Sequence, residues 1–217
     1  MRVASFAIAL SVLAFAAAPS VAQTLAGGTL SFRYDQFPFG SYNGSFQADG
    51  ELTNLDGFPE VEDNGCAAFV VDHPGLHLLV IVAGHGNTDG SADVAVLAIR
   101  SDSPIVPGAY PIDLENYTVA WGFVNDLPEP SFPSDPASAD WVAWLEALTA
   151  NGVFGSANGG IVISAIDDHH VAGSFDGLLA DLDGTMLLLV TQSAFDIGTT
   201  VLEVEDSSWA DLKALHR

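Results

Sequence analysis

The amino-acid sequence predicts an all-β domain, an antiparallel β-sandwich or barrel with one inserted amphipathic helix and a short C-terminal helix. Short runs rich in Val, Ile, Phe, Leu and Tyr recur at intervals of about 10 to 20 residues, which is typical of sandwiches and barrels. Gly, Asp, Asn and Pro separate these runs. Two stretches carry apolar residues at helical spacing instead.

The predicted strands are short and follow one another along the chain. They cover residues 29–34, 44–50, 66–72, 76–83, 92–100, 109–112, 117–124, 160–166, 170–179, 185–191 and 199–204. His73-Pro74-Gly75 and Asp183-Gly184 are typical of hairpin turns. The runs on either side of the first turn are apolar at nearly every position, so we expect both strands to be covered on two faces.

The inserted helix is predicted over residues 136–150. Asp135-Pro136 supplies an N-cap followed by proline at the first helical position, and Asn151-Gly152 ends the helix. Its apolar residues recur at i, i+3, i+4 and i+7, namely Trp141, Trp144, Leu145 and Leu148. That spacing favours a helix packed on a sheet over a tryptophan platform that stacks on sugars.

The chain divides into a signal peptide (residues 1–22), an acidic β-domain (23–205) and a C-terminal helix (206–217), which begins with the capping box Ser208-Trp209-Ala210-Asp211. One basic residue, an apolar run over 4–18 and small residues before position 23 are typical of a secretory signal. That run is shorter than a membrane span of about 20 residues. We therefore expect a secreted or periplasmic protein without membrane insertion once the signal is cleaved.

The charge of the chain excludes one class of partner. Its 28 Asp and Glu residues outnumber its 5 Lys and Arg residues, which gives a net charge of −23. Such a field repels phosphate backbones and anionic lipid headgroups, so nucleic-acid binding is excluded. Two explanations stay open: a solvated, halotolerant surface, or cation binding at a few clustered sites.

The candidate metal ligands lie in three turns. Asn87, Asp89 and Asp93 alternate oxygen ligands as a calcium loop does, although the EF-hand glycine and glutamate are missing. Asp181 and Asp183 form a second half-motif of the same kind. The third turn pairs a carboxylate with an imidazole, Asp168 and His170, which could ligate zinc, manganese or iron. Ordinary polar turns are the favoured explanation for all three, so no cofactor is expected, and bound Ca²⁺ is the alternative.

The sequence nominates no catalytic residue. It contains no G-x-S-x-G elbow, H-E-x-x-H helix, P-loop or dinucleotide-binding glycine motif. A glycosidase needs only two well-placed carboxylates, and 28 acidic residues do not single out a pair. The only cysteine, Cys66, heads an apolar run and is predicted to be a small buried residue.

Four short sequence segments follow one another as a series of strand motifs. They are Gly108-Ala109-Tyr110-Pro111-Ile112, the run 160–166, Val171-Ala172-Gly173-Ser174-Phe175 and Ser193-Ala194-Phe195-Asp196-Ile197. The series resembles small exported bacterial β-domains of uncharacterised function, in which G-x-Y, V-x-G-x-F and G-x-F-type strands follow one another. The resemblance implies an all-β envelope or secreted domain and carries over no catalytic residue.

These observations predict an exported, non-catalytic structural or binding β-domain of unknown ligand, with an envelope protein or a glycan as partner. Two alternatives stay open. One is a β-barrel that carries a small ligand in an apolar interior. The other is a secreted hydrolase that depends on carboxylates or on a bound ion.

Overall fold

The computed structural model describes residues 27–52, 64–116, 118–128, 152–181 and 183–201, and these residues form an all-β fold. The ten strands are β1 (Gly28–Phe37), β2 (Asn43–Gly50), β3 (Asn64–His73), β4 (Leu76–Gly86), β5 (Ser91–Ser101), β6 (Gly108–Pro111), β7 (Val119–Pro128), β8 (Gly152–Asp167), β9 (His170–Asp181) and β10 (Leu187–Val201). The all-β prediction is confirmed. The two predicted helices and the predicted signal peptide lie outside the described residues.

The ten strands form one sheet in the order β2-β1-β10-β3-β4-β5-β7-β8-β6, and β9 joins β8 to β10. Seven strands, β3, β4, β5, β7, β8, β9 and β10, therefore close into a barrel. The β1–β2 hairpin extends from β10, and β6 extends from β8. Neighbouring strands are antiparallel except where β10 pairs with β3 and closes the barrel. There Thr199–Val201 runs parallel to Ala68–Val70. Of the two predicted architectures, the fold is the barrel.

The two predicted hairpin turns are confirmed. Gly75 joins β3 to β4 with a φ of 83°, and Gly184 joins β9 to β10 with a φ of 68°. Both values lie in the left-handed region, which glycine adopts without a steric penalty. The glycine-containing turns of the sequence therefore predicted the positions of both hairpins correctly.

Two strand predictions are wrong in extent. The runs 185–191 and 199–204 were expected as separate strands, but one strand, β10, includes both 187–191 and 199–201, and residues 202–204 lie outside the described part of the chain. Polar residues at 191–193 look like a loop in the sequence, whereas the chain there forms a bulge around Gln192, which has a φ of 53°. A bulge interrupts the pairing without ending the strand.

The predicted strand 160–166 is the second half of the longer β8. Its first half is rich in Gly, Ser and Asn, which sequence rules assign to turns. There the register shifts between Ser156 and Asn158, and Gly159 lies directly opposite Gly177 of β9. An added Cβ at either glycine would overlap the backbone of the other strand, so the two strands approach more closely than side chains allow.

The barrel interior is packed with aromatic side chains. The ring of Phe32 lies 5.1 Å from both Phe46 and Phe123, and Trp121 lies 5.0 Å from Phe175. All five residues are at most 2 % exposed. These contacts join the β1–β2 hairpin to the barrel wall.

Candidate functional site

One end of the barrel carries a cluster of polar side chains, which we call the acidic mouth. Its members are Tyr34, Tyr42, Asn87, Asp89, Asp93, Asn125 and Asp126. They meet there because β4 ends, β5 begins and β7 ends at the same rim. Three predicted ligand residues, Asn87, Asp89 and Asp93, thus lie in one place.

Asp93 is the centre of the acidic mouth. Its Oδ1 accepts hydrogen bonds from the backbone N–H of Asp126 at 2.9 Å and from Asn87 Nδ2 at 3.2 Å. The register of β5 and β7 shifts between Ala92 and Val94, which leaves Asp93 out of the regular ladder. His85 faces Asp93 from β4, and its Nδ1 is buried without a hydrogen-bond partner among the described residues.

The turn from Asn87 to Ser91 is closed by its own side chains. Asp89 Oδ1 accepts hydrogen bonds from the backbone N–H of Ser91 at 3.0 Å and from its hydroxyl at 2.7 Å. These bonds hold the pKa of Asp89 below its usual range. Across the described part of the chain, no three His, Cys, Asp or Glu side chains converge in a way that could hold a metal ion.

Two tyrosines form the inner wall of the acidic mouth. Tyr34 is 8 % exposed, and its hydroxyl donates to Asn125 Oδ1 at 3.3 Å. Burial raises the pKa of Tyr34, and the negative charges of Asp93 and Asp126 raise it further. Burial also raises the pKa of Tyr42, whose ring lies 5.8 Å from that of Tyr34. Both phenols are therefore neutral hydrogen-bond donors at physiological pH.

Asp126 is one of four residues of the acidic mouth that the sequence did not single out, together with Tyr34, Tyr42 and Asn125. Burial raises the pKa of its carboxyl, the charges of Asp93 and Asp89 raise it further, and a hydrogen bond from Asn125 at 2.6 Å opposes them. Its φ of 56° is uncommon for a residue with a side chain. Such outliers cluster at functional sites, so the backbone itself marks this position.

The remaining predicted ligands lie elsewhere. Asp181 is at the same barrel end, in the turn that also contains Asp183, and its two carboxylate oxygens accept from the N–H and hydroxyl of Thr185 at 2.7 and 2.6 Å. Burial alone would raise the pKa of Asp181, but its hydrogen bonds lower it. At the other end, Asp168 lies in the β8–β9 turn, whereas His170 Nε2 lies 2.7 Å from Asp196 Oδ1 of β10.

The other end of the barrel holds an open groove of about 740 Å³, which we call the rim groove. It lies where β5 ends, β6 runs and β7 begins, and the residues that matter here are Arg100, Asp102, Tyr110, Ile112, Leu114 and Glu115. The described residues contain two arginines and no lysine, and Arg100 is one of them. Within those residues, no ion pair involves the Arg100 side chain, which is exposed.

The walls of the rim groove are held by hydrogen bonds. The Asp113 carboxylate accepts four, from the two N–H groups of Glu115 and Asn116, the Asn116 amide and the Thr118 hydroxyl, at 2.9 to 3.0 Å. These bonds lower the pKa of Asp113. The Tyr110 hydroxyl accepts from Val106 N–H at 2.9 Å and donates to the Val106 carbonyl at 2.7 Å.

Sequence reasoning missed the rim groove. The available signal was Arg100, a cation in a chain with 5 Lys and Arg residues, placed directly before a polar turn. Comparison with protein-family models, curated proteins and solved structures finds no match to this chain.

Proposed function

We propose that this chain is an exported, non-catalytic binding domain that takes a neutral glycan in the rim groove. The observation that carries the proposal is the groove itself: about 740 Å³ of open volume with hydrogen-bonded walls. Ligand sites have volumes of about 300 to 1,000 Å³ and are largely formed before the ligand arrives. Preformed walls reduce the entropy lost on binding.

The side chains around the groove suit a polyhydroxylated ligand. A sugar presents hydroxyl groups that both donate and accept, together with apolar C–H faces. Arg100 supplies donors, and the carboxylates of Asp102 and Glu115 supply acceptors. Ile112 and Leu114 supply apolar surface, and Leu114 is 44 % exposed.

The charge and the core favour a neutral ligand at the rim. A net charge of −23 repels an anionic polymer, so an uncharged glycan is a better partner than an anionic one. The aromatic rings that pack the barrel interior support a rim site over an internal one, because side chains already occupy the centre.

Isothermal titration calorimetry tests the proposal: the chain from Gln23 onward is titrated with a panel of neutral oligosaccharides, and the affinity for each is measured. We expect saturable binding to at least one of them, and Arg100→Ala should weaken it at least tenfold because the groove loses the hydrogen-bond donors of the guanidinium. Arg33→Ala is the matched control, since it removes the same charge from the outer side of β1. Equal affinity for both variants, or no binding to any saccharide, would contradict the proposal.

A second function is favoured by the acidic mouth, namely a secreted hydrolase in which Asp126 is the general acid and Asp93 the general base. Its support is the contact of Asp126 with Asp93 at one rim, where burial and the neighbouring negative charges raise the pKa of Asp126, as a general acid requires. Chromogenic glycosides assayed from pH 4 to pH 8 test it. Turnover that Asp126→Asn abolishes and Asp176→Asn preserves would establish this function. The absence of turnover in the parent chain would contradict the hydrolase function.

A further inference from the structure

The outer surface of the barrel carries an apolar face that is buried although it points away from the core. We call it the outer face and define it by Ala67, Phe69, Val80, Val82, Val94, Val96, Val124 and Val153. Each is at most 8 % exposed, and none belongs to the core cluster of the barrel interior. Their inward neighbours along the strands, such as Ile81 and Ala95, do belong to it.

The outer face is continuous across neighbouring strands. Ala67 pairs with Val82, which pairs with Val96, and a second row joins Val94 to Val124 and Val153. The exposed side of an antiparallel sheet is expected to be polar. The β1–β2 hairpin does not supply a cover for this face, because its buried side chains, such as Phe32 and Phe46, belong to the cluster of the barrel interior. The burial of the outer face therefore requires a cover from another part of the chain.

We propose that residues 136–150 dock on the outer face as an amphipathic helix, through Trp141, Trp144, Leu145 and Leu148. The attachment points of this segment carry the argument. The preceding strand ends at Pro128, which pairs with Ser91 at the start of β5, and the following strand begins at Gly152, which pairs with Asn125 of β7. Both ends of the connection thus lie at the border of the outer face.

The dimensions and shape of the face fit such a helix. A 15-residue helix is about 22 Å long and about 10 Å wide. The eleven-residue strand β5 spans about 35 Å, and two strand spacings span about 10 Å. The helix would therefore cover two strands of the face. Gly84 and Gly122 are buried between the valines, and because they lack side chains a helix can approach closely there.

The C-terminal segment, residues 206–217, is a competing occupant. It follows Val201, which pairs with Val70 of β3, so it starts from the opposite border of the face. We assign residues 136–150 to the half formed by Val94, Val96 and Val124, because both of their attachment points adjoin that half. This inference is independent of the proposed glycan site.

A double-mutant cycle tests this assignment. Urea unfolding is measured for Val96→Ala, Trp144→Ala and the double variant, and we expect the double variant to lose clearly less stability than the two single losses together, since contacting residues couple. The same cycle with Trp209→Ala in place of Trp144→Ala is the control and should be additive. Additivity for Trp144, or coupling for Trp209 alone, would overturn the proposal.

The cycle stays informative where Trp144→Ala does not accumulate as a folded protein. Trp144→Phe removes less volume and replaces it in the same design, with Trp209→Phe as its control. Coupling of Val96→Ala to Trp144→Phe and not to Trp209→Phe supports the assignment. The reverse pattern assigns the face to the C-terminal segment, and no coupling to either contradicts a docked tryptophan on this half.

Discussion

Asp126 shows how strongly one position can depend on distant parts of this chain. Its backbone N–H bonds to a carboxylate 33 residues earlier, and its φ of 56° places it where Asn, Asp and Gly are tolerated best. The sequence grouped Asn87, Asp89 and Asp93 because they are neighbours along the chain. It could not add Asp126, because that contact depends on the β5–β7 register and on its irregularity.

The raised pKa of Asp126 has a defined effect on stability. A carboxyl with a higher pKa in the folded state than its model value of 3.8 binds protons more strongly when folded, so its contribution to stability is lost as pH rises through the folded pKa. Asp126→Asn cannot ionise, so the variant does not lose this stability as the pH rises. Asparagine also tolerates the positive φ at this position. We expect the variant to melt above the parent at pH 7, by a margin that shrinks as the pH is lowered towards 3.8.

Asp126→Ala is the control for that prediction, because alanine also lacks the charge but fits a positive φ poorly. It should melt below Asp126→Asn at every pH tested. A margin between Asp126→Asn and the parent that stays constant across pH would show that the carboxyl does not titrate differently in the folded state.

At the scale of the elements, sequence patterns located strands well and their ends poorly. The β3–β4 hairpin was predicted because Pro74-Gly75 is a turn and both flanks are continuously apolar. The first half of β8 and the middle of β10 were missed because their Gly, Ser and Gln residues lie at bulges. Local propensity does not distinguish a residue that ends a strand from one that bends it.

Gly177→Ala tests the close approach of β8 and β9. Gly177 has a φ of 133°, and an added Cβ would overlap the Asn158 carbonyl, whereas Gly75 has a φ of 83° with nothing within 4 Å of an added Cβ. Gly75→Ala should therefore cost about 1 to 2 kcal/mol, the conformational penalty alone. We expect Gly177→Ala to cost at least about 3 kcal/mol in urea unfolding. Equal losses of stability in the two variants would mean that β8 and β9 move apart at Gly177 without a further free-energy cost.

At the scale of the whole molecule, the acidity of the chain is the dominant electrostatic feature. The described residues show the ion pair of Arg33 with Asp35 on the surface, where both partners are about half exposed. Such pairs contribute about 0 to 1 kcal/mol, so they do not offset the repulsion that accompanies a net charge of −23. The sequence predicts this property fully, because it depends on composition and not on the fold.

Screening of that repulsion should be measurable. The Debye length falls from about 10 Å at 0.1 M salt to about 3 Å at 1 M. We expect the melting temperature to rise over this range of sodium chloride, and to rise less over the same range of a neutral osmolyte matched in osmolality. A flat or falling curve in sodium chloride would mean that the acidic residues are spaced too widely to repel one another.

We propose that this chain binds its ligand in the rim groove and not in the acidic mouth. Amide chemical-shift mapping during titration with the neutral oligosaccharide that binds best tests it most directly, because both barrel ends are followed at once. We predict that shifts concentrate at residues 100–103 and 110–119, while residues 87–93 and 125–126 stay unchanged. Shifts confined to the acidic mouth, or no localised shifts at saturation, would contradict it.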